Sequence, residues 1–242
     1  MNVIGIYLAA GQSSRMGTAK LSLELPDGRR LGTLALAEAL LSRLAGIVAV
    51  TRPGQRLDWW PGSPGGDRHH RAEAGDDEPP ELTVNLQRRS EASCPDRPDG
   101  PQEASGRLRR TVSIRAAEGM AYSIRAGVEV ARERGVNAVL IMLADQPLVT
   151  AAWIDALIAA FAEDPGLDFV ASSREGKPMP PVLFSARLLD ELQRLEGDAG
   201  ARRLLASPKY RGICVPRSAS DFTDVDTPAD WETFLALWSR NG

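Results

Sequence analysis

The segment VIGIYLAAGQSSRMGTAK, residues 3–20, gives the clearest indication of the fold class. Its first part, Val3–Leu8, is apolar and rich in β-branched side chains, which is typical of a buried parallel strand. A loop with glycines at positions Gly11 and Gly17 follows directly, and Leu31–Leu44 then carries Leu and Ala at helical spacing. A strand, a glycine loop and a helix in this order predict the first unit of an α/β fold.

The same alternation of short apolar runs and longer amphipathic stretches continues along the chain. It predicts an α/β domain spanning residues 1–242, with a single doubly wound, mostly parallel sheet flanked by helices. The further predicted strands are Gly46–Thr51, Thr111–Ile114, Asn137–Leu143, Phe169–Ala171 and Ile213–Val215. The further predicted helices are Ala151–Ala162, capped by Thr150, and Pro228–Trp238, capped by Thr227.

Residues 53–110 break the pattern, because they hold eight of the 17 prolines and few β-branched residues. Such a Pro-, Gly- and charge-rich segment buries too little apolar surface to offset its ordering entropy. We therefore predict a flexible surface insertion, with the Trp59-Trp60 pair and the patch Leu82–Leu86 docked on the body of the domain. A partner-binding loop is the alternative interpretation.

Composition and charge exclude several classes of protein. A chain of 242 residues with 43% hydrophobic content and a net charge of −3 is an ordinary globular chain without the basic surface that nucleic acids require. Two cysteines, Cys94 and Cys214, are too few for a disulfide framework, and they favour a reducing cytoplasm. The N-terminal MNVIGIYLAAG has no positive n-region and no small-residue cleavage pattern, so secretion is not expected. Nowhere do 18 apolar residues follow one another, so membrane insertion is not expected either.

The loop after the first strand has the chemistry of an anion site. Gly11 and Gly17 allow consecutive backbone N–H groups to point at phosphate oxygens, and Arg15 and Lys20 add positive charge. The spacing matches neither a P-loop nor GxGxxG. The loop is thus expected to bind a phosphorylated ligand, whereas Gly11 and Gly17 alone would fit a simple strand-to-helix turn.

Two aspartates are expected at the same edge of the sheet. Asp145 follows a strand directly in LADQPLV, and Asp226 lies in FTDVDTPADW, just before a helix. Ligands gather outside the carboxyl ends of parallel strands, and one or two carboxylates commonly hold Mg²⁺ beside phosphate groups. A pair of carboxylates close to Arg15 and Lys20 would therefore suit a Mg²⁺ site. The second element could instead be only a capping turn built on Thr227, with Asp224 as a supporting or capping residue.

The string LAAG-x-S-x-RMG-x-x-K resembles the signature of nucleotidyltransferases, and more narrowly that of the molybdenum cofactor cytidylyltransferases. The resemblance implies a Rossmann-like nucleotidyltransferase fold and a loop that wraps the triphosphate, with Arg15, Lys20 and Asp145 as catalytic residues. Guanylyltransferase relatives usually carry LAGG, so the double alanine favours CTP over GTP. The residues of this loop that the resemblance assigns to nucleotide binding are Leu8, Ala9, Ala10, Gly11, Ser13, Arg15, Gly17 and Lys20.

Three further segments carry the resemblance. Asp145 and Asp226 match the family's metal ligands, and EGMAYSIRAG supplies Gly119 and Ser123 for the nucleotide. LEGDAGARRLL resembles an acceptor-side element, in which Gly197 starts a turn, Asp198 caps a helix, and Arg202 faces phosphate or solvent. The segment GKPMPPVLF, with Met179 and Pro180, departs from the family pattern beside the acceptor pocket.

The resemblance implies Mg²⁺-dependent transfer of CMP from CTP to the phosphate of a molybdenum-carrying molybdopterin, with release of pyrophosphate. No general base is expected, because a phosphate acceptor is already ionised at neutral pH. Other possible substrates are GTP and a sugar or polyol phosphate acceptor. A different class of function is also open, in which the protein carries the cofactor to a molybdoenzyme client or its maturation factor without catalysing transfer.

Overall fold

The structure, a computed structural model, describes residues 1–63, 106–198 and 200–241. In these ranges, seven strands form one sheet with the order β3-β2-β1-β4-β6-β5-β7. The strands are β1 (Val3–Leu8), β2 (Gly46–Thr51), β3 (Leu108–Val112), β4 (Ala138–Leu143), β5 (Phe169–Arg174), β6 (Lys177–Ser185) and β7 (Gly212–Pro216). The helices are α1 (Leu31–Leu41), α2 (Met120–Arg132), α3 (Ala151–Glu163), α4 (Leu189–Gln193), α5 (Arg202–Leu205) and α6 (Pro228–Asn241).

The sheet is mostly parallel, which confirms the predicted fold class. β1 pairs in parallel with β2 and β4, and the pairs β2 with β3 and β5 with β7 are also parallel. β6 alone runs antiparallel to its neighbours among the described strands. Leu8, the last residue of β1, lies opposite Val50 on one side and Leu143 on the other. The chain therefore leaves β1 and β4 at the same edge of the sheet, where the strand order switches direction and α/β proteins bind ligands.

Alternate residues of the strands point to opposite faces, and helices cover both faces. Tyr7 of β1 packs in the core with α1 and α3, whereas Ile6 packs in the second core with α2 and α4. Gly127 of α2 is required where that helix crosses β1, since a Cβ atom there would lie 2.4 Å from Cγ2 of Ile6. The fold thus presents a rigid sheet edge from which loops can carry functional side chains.

Both ends of the predicted insertion 53–110 belong to the folded body. Trp59 is 1% exposed and lies against Gly32, where an added Cβ atom would lie 2.8 Å from the indole ring. At the other end, β3 covers Leu108–Val112, whereas the sequence predicted a strand at Thr111–Ile114. The strand begins three residues and ends two residues before the predicted bounds, because Arg109 and Arg110 do not fit the apolar pattern by which the strand was predicted. Residues 64–105, including the predicted Leu82–Leu86 patch and Cys94, lie outside the described residues.

Strand β6 was absent from the predicted strands. Its first half, Lys177–Pro181, contains three prolines, which remove backbone donors and are unusual inside a sheet. The strand tolerates them because its regular pairing to β4 begins only at Val182, opposite Ile141. The remaining predicted strands and helices agree with the structure to within three residues at each end, whereas α4 was not predicted. Thr150 caps α3 by accepting a hydrogen bond from the backbone N–H of Trp153.

Within the described ranges, no helix is long and apolar enough to cross a membrane.

Candidate active site

A cleft of about 460 Å³ opens at the edge of the sheet where β1 and β4 end. Its walls come from the glycine loop, the segment that leads into α2, and the residues that follow β4. Most of the predicted site residues line it together, namely Leu8, Ala9, Ala10, Gly11, Arg15, Lys20, Gly119, Ser123, Asp145 and Asp198.

Lys20 joins the two predicted metal ligands. Its Nζ lies 2.6 Å from Oδ2 of Asp145 and 2.8 Å from Oδ1 of Asp226. The Lys20 side chain is 9% exposed, whereas Asp145 and Asp226 are partly open to solvent. Burial disfavours the charged form of Lys20, but attraction and hydrogen bonds from both carboxylates outweigh it and raise the pKa of the ammonium group. Lys20 is therefore charged and ion-paired with both aspartates.

Arg15 contributes a second cation to the same cluster. Its Nη2 lies 2.9 Å from Oδ2 of Asp226, and its side chain is 70% exposed. An exposed guanidinium is free to turn toward a ligand at little cost, since exposed ion pairs contribute little to stability. Two cations and two carboxylates thus converge beside the glycine loop, as the sequence predicted for these four residues.

The Asp226 side chain does not cap the following helix. Thr227 and Asp230 form a reciprocal cap at the start of α6, with Thr227 Oγ1 accepting from Asp230 N and donating to Asp230 Oδ2. The Asp230 carboxylate also accepts the backbone N–H of Asp226, at 3.2 Å. The two alternatives for this segment, a capping turn and a carboxylate site, are therefore both present. Thr227 supplies the cap, and the side chain of Asp226 pairs with Arg15 and Lys20.

A small apolar cluster anchors the glycine loop to the C-terminal part of the chain. Met16, next to Arg15, is 8% exposed and packs in a cluster with Val225, next to Asp226. Phe234 of α6 and Leu31 of α1 complete the centre of this cluster. Arg15 and Asp226 are thus held close together by the burial of their immediate neighbours in the sequence.

Gly119 and Asp198 connect α2 to the segment before α5. Gly119 has φ +133°, and a Cβ atom there would lie 2.6 Å from the carbonyl carbon and oxygen of Gly197. The Gly197 carbonyl accepts the N–H of Ala121, and Oδ1 of Asp198 accepts the N–H of Met120 at 3.3 Å. Asp198 therefore caps α2, and the prediction that it caps the helix carrying Arg202 was wrong, since the residue at the start of α5 is Ala201.

Five predicted site residues lie outside the cleft lining, namely Ser13, Gly17, Gly197, Arg202 and Asp226. Asp226 is joined to the lining by its ion pairs with Arg15 and Lys20. Ser13 and Gly17 border a shallower depression on the outer side of the glycine loop, together with Arg52. Ser13 has φ +54°, and its Oγ accepts the N–H of Lys20 at 3.4 Å, so it shapes the loop from behind. Arg202 is exposed on α5. Ser123, by contrast, is 5% exposed and faces the cleft, unlike an ordinary helix-surface serine.

Sequence reasoning did not identify Gln146 as part of this site. Gln146 directly follows Asp145, is 2% exposed, and donates from Nε2 to Oδ1 of Asp224 at 2.8 Å. Burial raises the pKa of the Asp224 carboxyl, and the hydrogen bond from Gln146 partly opposes that rise. The glutamine in LADQPLV could have been a signal, since a buried amide needs partners. Its partner, however, lies 78 residues further along the chain.

The two carboxylates fit a divalent cation that arrives with a nucleotide. Among the described residues, no group of three or more His, Cys, Asp or Glu side chains could hold a metal ion by itself. Mg²⁺ is commonly bound by one or two carboxylates together with substrate phosphates and water. Asp145 and Asp226 would therefore supply the protein ligands, with phosphate oxygens and water completing the coordination.

The family of the chain follows from comparison with known proteins. Residues 5–212 match the family model described as MobA-like NTP transferase domain, and the chain belongs to this family. It is accordingly a nucleotidyltransferase by family, with the Rossmann-like sheet described above.

Individual relatives span the whole chain. The purine catabolism protein PucB of Bacillus subtilis (strain 168) is 33% identical over 233 residues, which are 95% of this chain and 94% of that protein. The structure of Rv0371c from Mycobacterium tuberculosis H37Rv in complex with manganese has a TM-score of 0.64 at 18% identity, covering 98% of this chain and 99% of that one. A CMP:2-keto-3-deoxy-manno-octonic acid synthetase complexed with CTP has a TM-score of 0.65 at 14% identity and covers 100% of both chains.

Proposed function

We propose that the protein transfers CMP from CTP to the phosphate of a molybdenum-carrying molybdopterin in a Mg²⁺-dependent reaction. The observation that carries the proposal is the ion-paired convergence of Lys20 and Arg15 with Asp145 and Asp226 beside a glycine loop. Lys20, Arg15 and Asp145 also line one cleft. Nucleotidyl transfer requires neutralisation of charge that develops on phosphate oxygens, and this cluster supplies both cations and carboxylates for that purpose.

The reaction forms one P–O bond and breaks another. An oxygen of the acceptor phosphate attacks the α-phosphorus of CTP in line, and the bond from the α-phosphorus to the bridging oxygen breaks as pyrophosphate leaves. Lys20 and Arg15 turn from the aspartates toward the triphosphate and neutralise the leaving group. Asp145 and Asp226 would hold Mg²⁺, which when bound would supply positive charge to polarise the reacting phosphate. No protein base is needed, because the acceptor phosphate is ionised before it attacks.

Two features support the choice of nucleotide and acceptor. Ala9 and Ala10 take the place of the LAGG sequence usual in guanylyltransferase relatives, which favours CTP. The relative PucB is described as a purine catabolism protein. The family resemblance implies the cytosine dinucleotide form of the cofactor, which xanthine dehydrogenase-type enzymes use. We place the reaction in the cytoplasm, in accord with the low cysteine content.

The first experiment measures the thermal midpoint with CTP, GTP, ATP or UTP, each with Mg²⁺ and again with EDTA. A ligand at 100 times its Kd adds about 2.7 kcal/mol, hence roughly 5–10 °C for a chain of this size. We expect stabilisation by CTP that EDTA abolishes. Stabilisation by GTP instead would overturn the choice of base, and no response to any nucleotide would favour the carrier function.

The second experiment supplies the acceptor. The protein is incubated with CTP, Mg²⁺ and molybdopterin with or without molybdenum, and pyrophosphate release is measured. A glycerol phosphate and a hexose phosphate serve as controls for other acceptor classes. Pyrophosphate release with a polyol or sugar phosphate and none with molybdopterin would overturn the proposed acceptor while leaving CMP transfer intact.

A further inference from the structure

The ammonium group of Lys20 lies where a cation shared by the two carboxylates would lie. Its Nζ is within 2.8 Å of one oxygen from each of Asp145 and Asp226. A divalent cation bound to these same two oxygens would occupy the space that Nζ fills. The metal and the ammonium group therefore compete for one position.

Both carboxylates of the proposed metal site are paired with cations of the chain itself. Lys20 and Arg15 carry two positive charges, and Asp145 and Asp226 carry two negative charges, all within ion-pair distance. The adjacent carboxyl of Asp224 is engaged by the amide of Gln146 and points to that partner. The positive charges of Lys20 and Arg15 therefore oppose the Coulomb attraction that Asp145 and Asp226 would exert on a divalent cation.

The same lysine can reach a triphosphate. Lys20 lines the cleft beside Gly11 and Ser14, and its flexible four-carbon stem lets the ammonium group move while the backbone stays fixed. The backbone is held by the hydrogen bond from Lys20 N to Ser13 Oγ. A triphosphate in the cleft would offer Lys20 more negative charge than the two aspartates do, and the carboxylates would then be left free.

From these contacts we propose that Lys20 is a resident counter-ion that keeps divalent cations out of the site until a nucleoside triphosphate draws its ammonium group away. Metal and nucleotide then bind with positive coupling, and each strengthens the binding of the other by the same factor. This inference rests on the proposed role of Asp145 and Asp226 as metal ligands. It adds a second role for Lys20, which precedes its contact with the triphosphate.

The test is a Mn²⁺ titration of the nucleotide-free protein, in which electron paramagnetic resonance reports the free ion. Lys20→Met removes the charge while it keeps most of the volume, and we expect its Kd for Mn²⁺ to fall about tenfold or more relative to the wild type. Lys20→Arg keeps a cation, so its Kd should stay near that of the wild type. Lys209→Met is the matched control, since Lys209 is exposed, pairs with Glu191, and does not line the cleft.

Further variants separate the failure of this inference from the failure of the proposed function. A Kd for Lys20→Met within threefold of the wild-type value would overturn the proposed competition between Lys20 and the metal. Failure of both proteins to bind Mn²⁺ would overturn it as well. Tight Mn²⁺ binding by Lys20→Met that persists after Asp145→Asn and Asp226→Asn are added would show that other groups bind the ion, and the proposed metal ligands would fail as well. Circular dichroism checks the fold of each variant, and Lys20→Gln replaces Lys20→Met if the latter does not fold.

Discussion

Nε2 of Gln146 donates a 2.8 Å hydrogen bond to Oδ1 of Asp224, and this contact joins the two segments that carry the aspartates of the cluster. A second bond runs in parallel, from the backbone N–H of Val225 to the carbonyl of Asp145, at 3.0 Å. Asp145 directly precedes Gln146, and Asp226 lies two residues after Asp224. The hydrogen bond between Gln146 and Asp224 therefore helps to set the distance between the carboxylates of Asp145 and Asp226. Asp224 and Gln146 are therefore positioning residues.

Replacing Asp224 with Ala should lower turnover more than it lowers nucleotide affinity. The variant leaves the buried amide of Gln146 without its partner, which costs about 1–3 kcal/mol of stability and loosens the segment that carries Asp226. We expect kcat to fall about tenfold, with KM for CTP changed little. Asp224→Asn keeps an oxygen acceptor and should recover most of the lost kcat. Equal losses in the Ala and Asn variants would indicate that the charge of Asp224, rather than its hydrogen bond, is required.

Removal of either bridged carboxylate should nearly abolish transfer. Asp145→Ala and Asp226→Ala should each lower kcat about 100-fold or more, the range observed on loss of one preorganised charge-stabilising group. Asp190→Ala is the control, because Asp190 is exposed and pairs with Arg132 on the outside of α2. Pyrophosphate release under saturating CTP and Mg²⁺ measures the effect. Unchanged turnover in both variants would contradict the metal assignment.

Lys20→Ala separates a role in the transition state from a role in binding. If Lys20 mainly stabilises charge that develops on the leaving pyrophosphate, kcat falls and the Kd for CTP changes little. Steady-state kinetics combined with a direct CTP binding measurement distinguishes the two effects. A raised KM with unchanged kcat would make Lys20 a ground-state binding residue, and that result would leave its competition with the metal to the separate Mn²⁺ titration.

The sequence predicted those parts of the fold and site that depend on local pattern. Apolar strands and amphipathic helices repeat with their own periods, so the elements around β1 and β4 were correct, and carboxyl ends of parallel strands must share an edge. Lys20, Asp145 and Asp226 were thus brought together without any contact information. Asp198 and Gln146 depend instead on partners 78 residues away, Met120 and Asp224, and no local pattern contains such contacts.

Trp59 is buried in the body of the domain, as expected for the docked Trp59-Trp60 pair, although it lies in a segment of polar composition. Its neighbours are glycines, prolines and charged residues, yet its ring fills a space that Gly32 leaves open and lies 6.2 Å from the ring of Tyr7. Trp59→Ala should therefore lower the free energy of unfolding by about 3–5 kcal/mol, as for other buried aromatic residues. Urea denaturation measures the change. Trp60→Ala, at a partly exposed neighbour, should cost clearly less, and equal costs would contradict a core position for Trp59 alone.

Substitution by alanine should affect two glycines of the cleft differently, with a loss of stability at Gly119 and a loss of CTP binding at Gly11. Gly119 has φ +133° and ψ 162°, a conformation that is essentially restricted to glycine, and its added Cβ would overlap the backbone of Gly197. Gly119→Ala should therefore destabilise the protein by about 1–3 kcal/mol from strain alone.

An added Cβ at Gly11 meets no protein atom within 4 Å, so Gly11→Ala should leave the thermal midpoint unchanged. The same methyl group lies at the cleft, where a phosphate would approach the backbone, and it should weaken CTP binding. Calorimetric melting and CTP titration of both variants check the contrast. A Gly11→Ala protein that binds CTP as well as the wild type does would contradict close approach of the triphosphate to this loop.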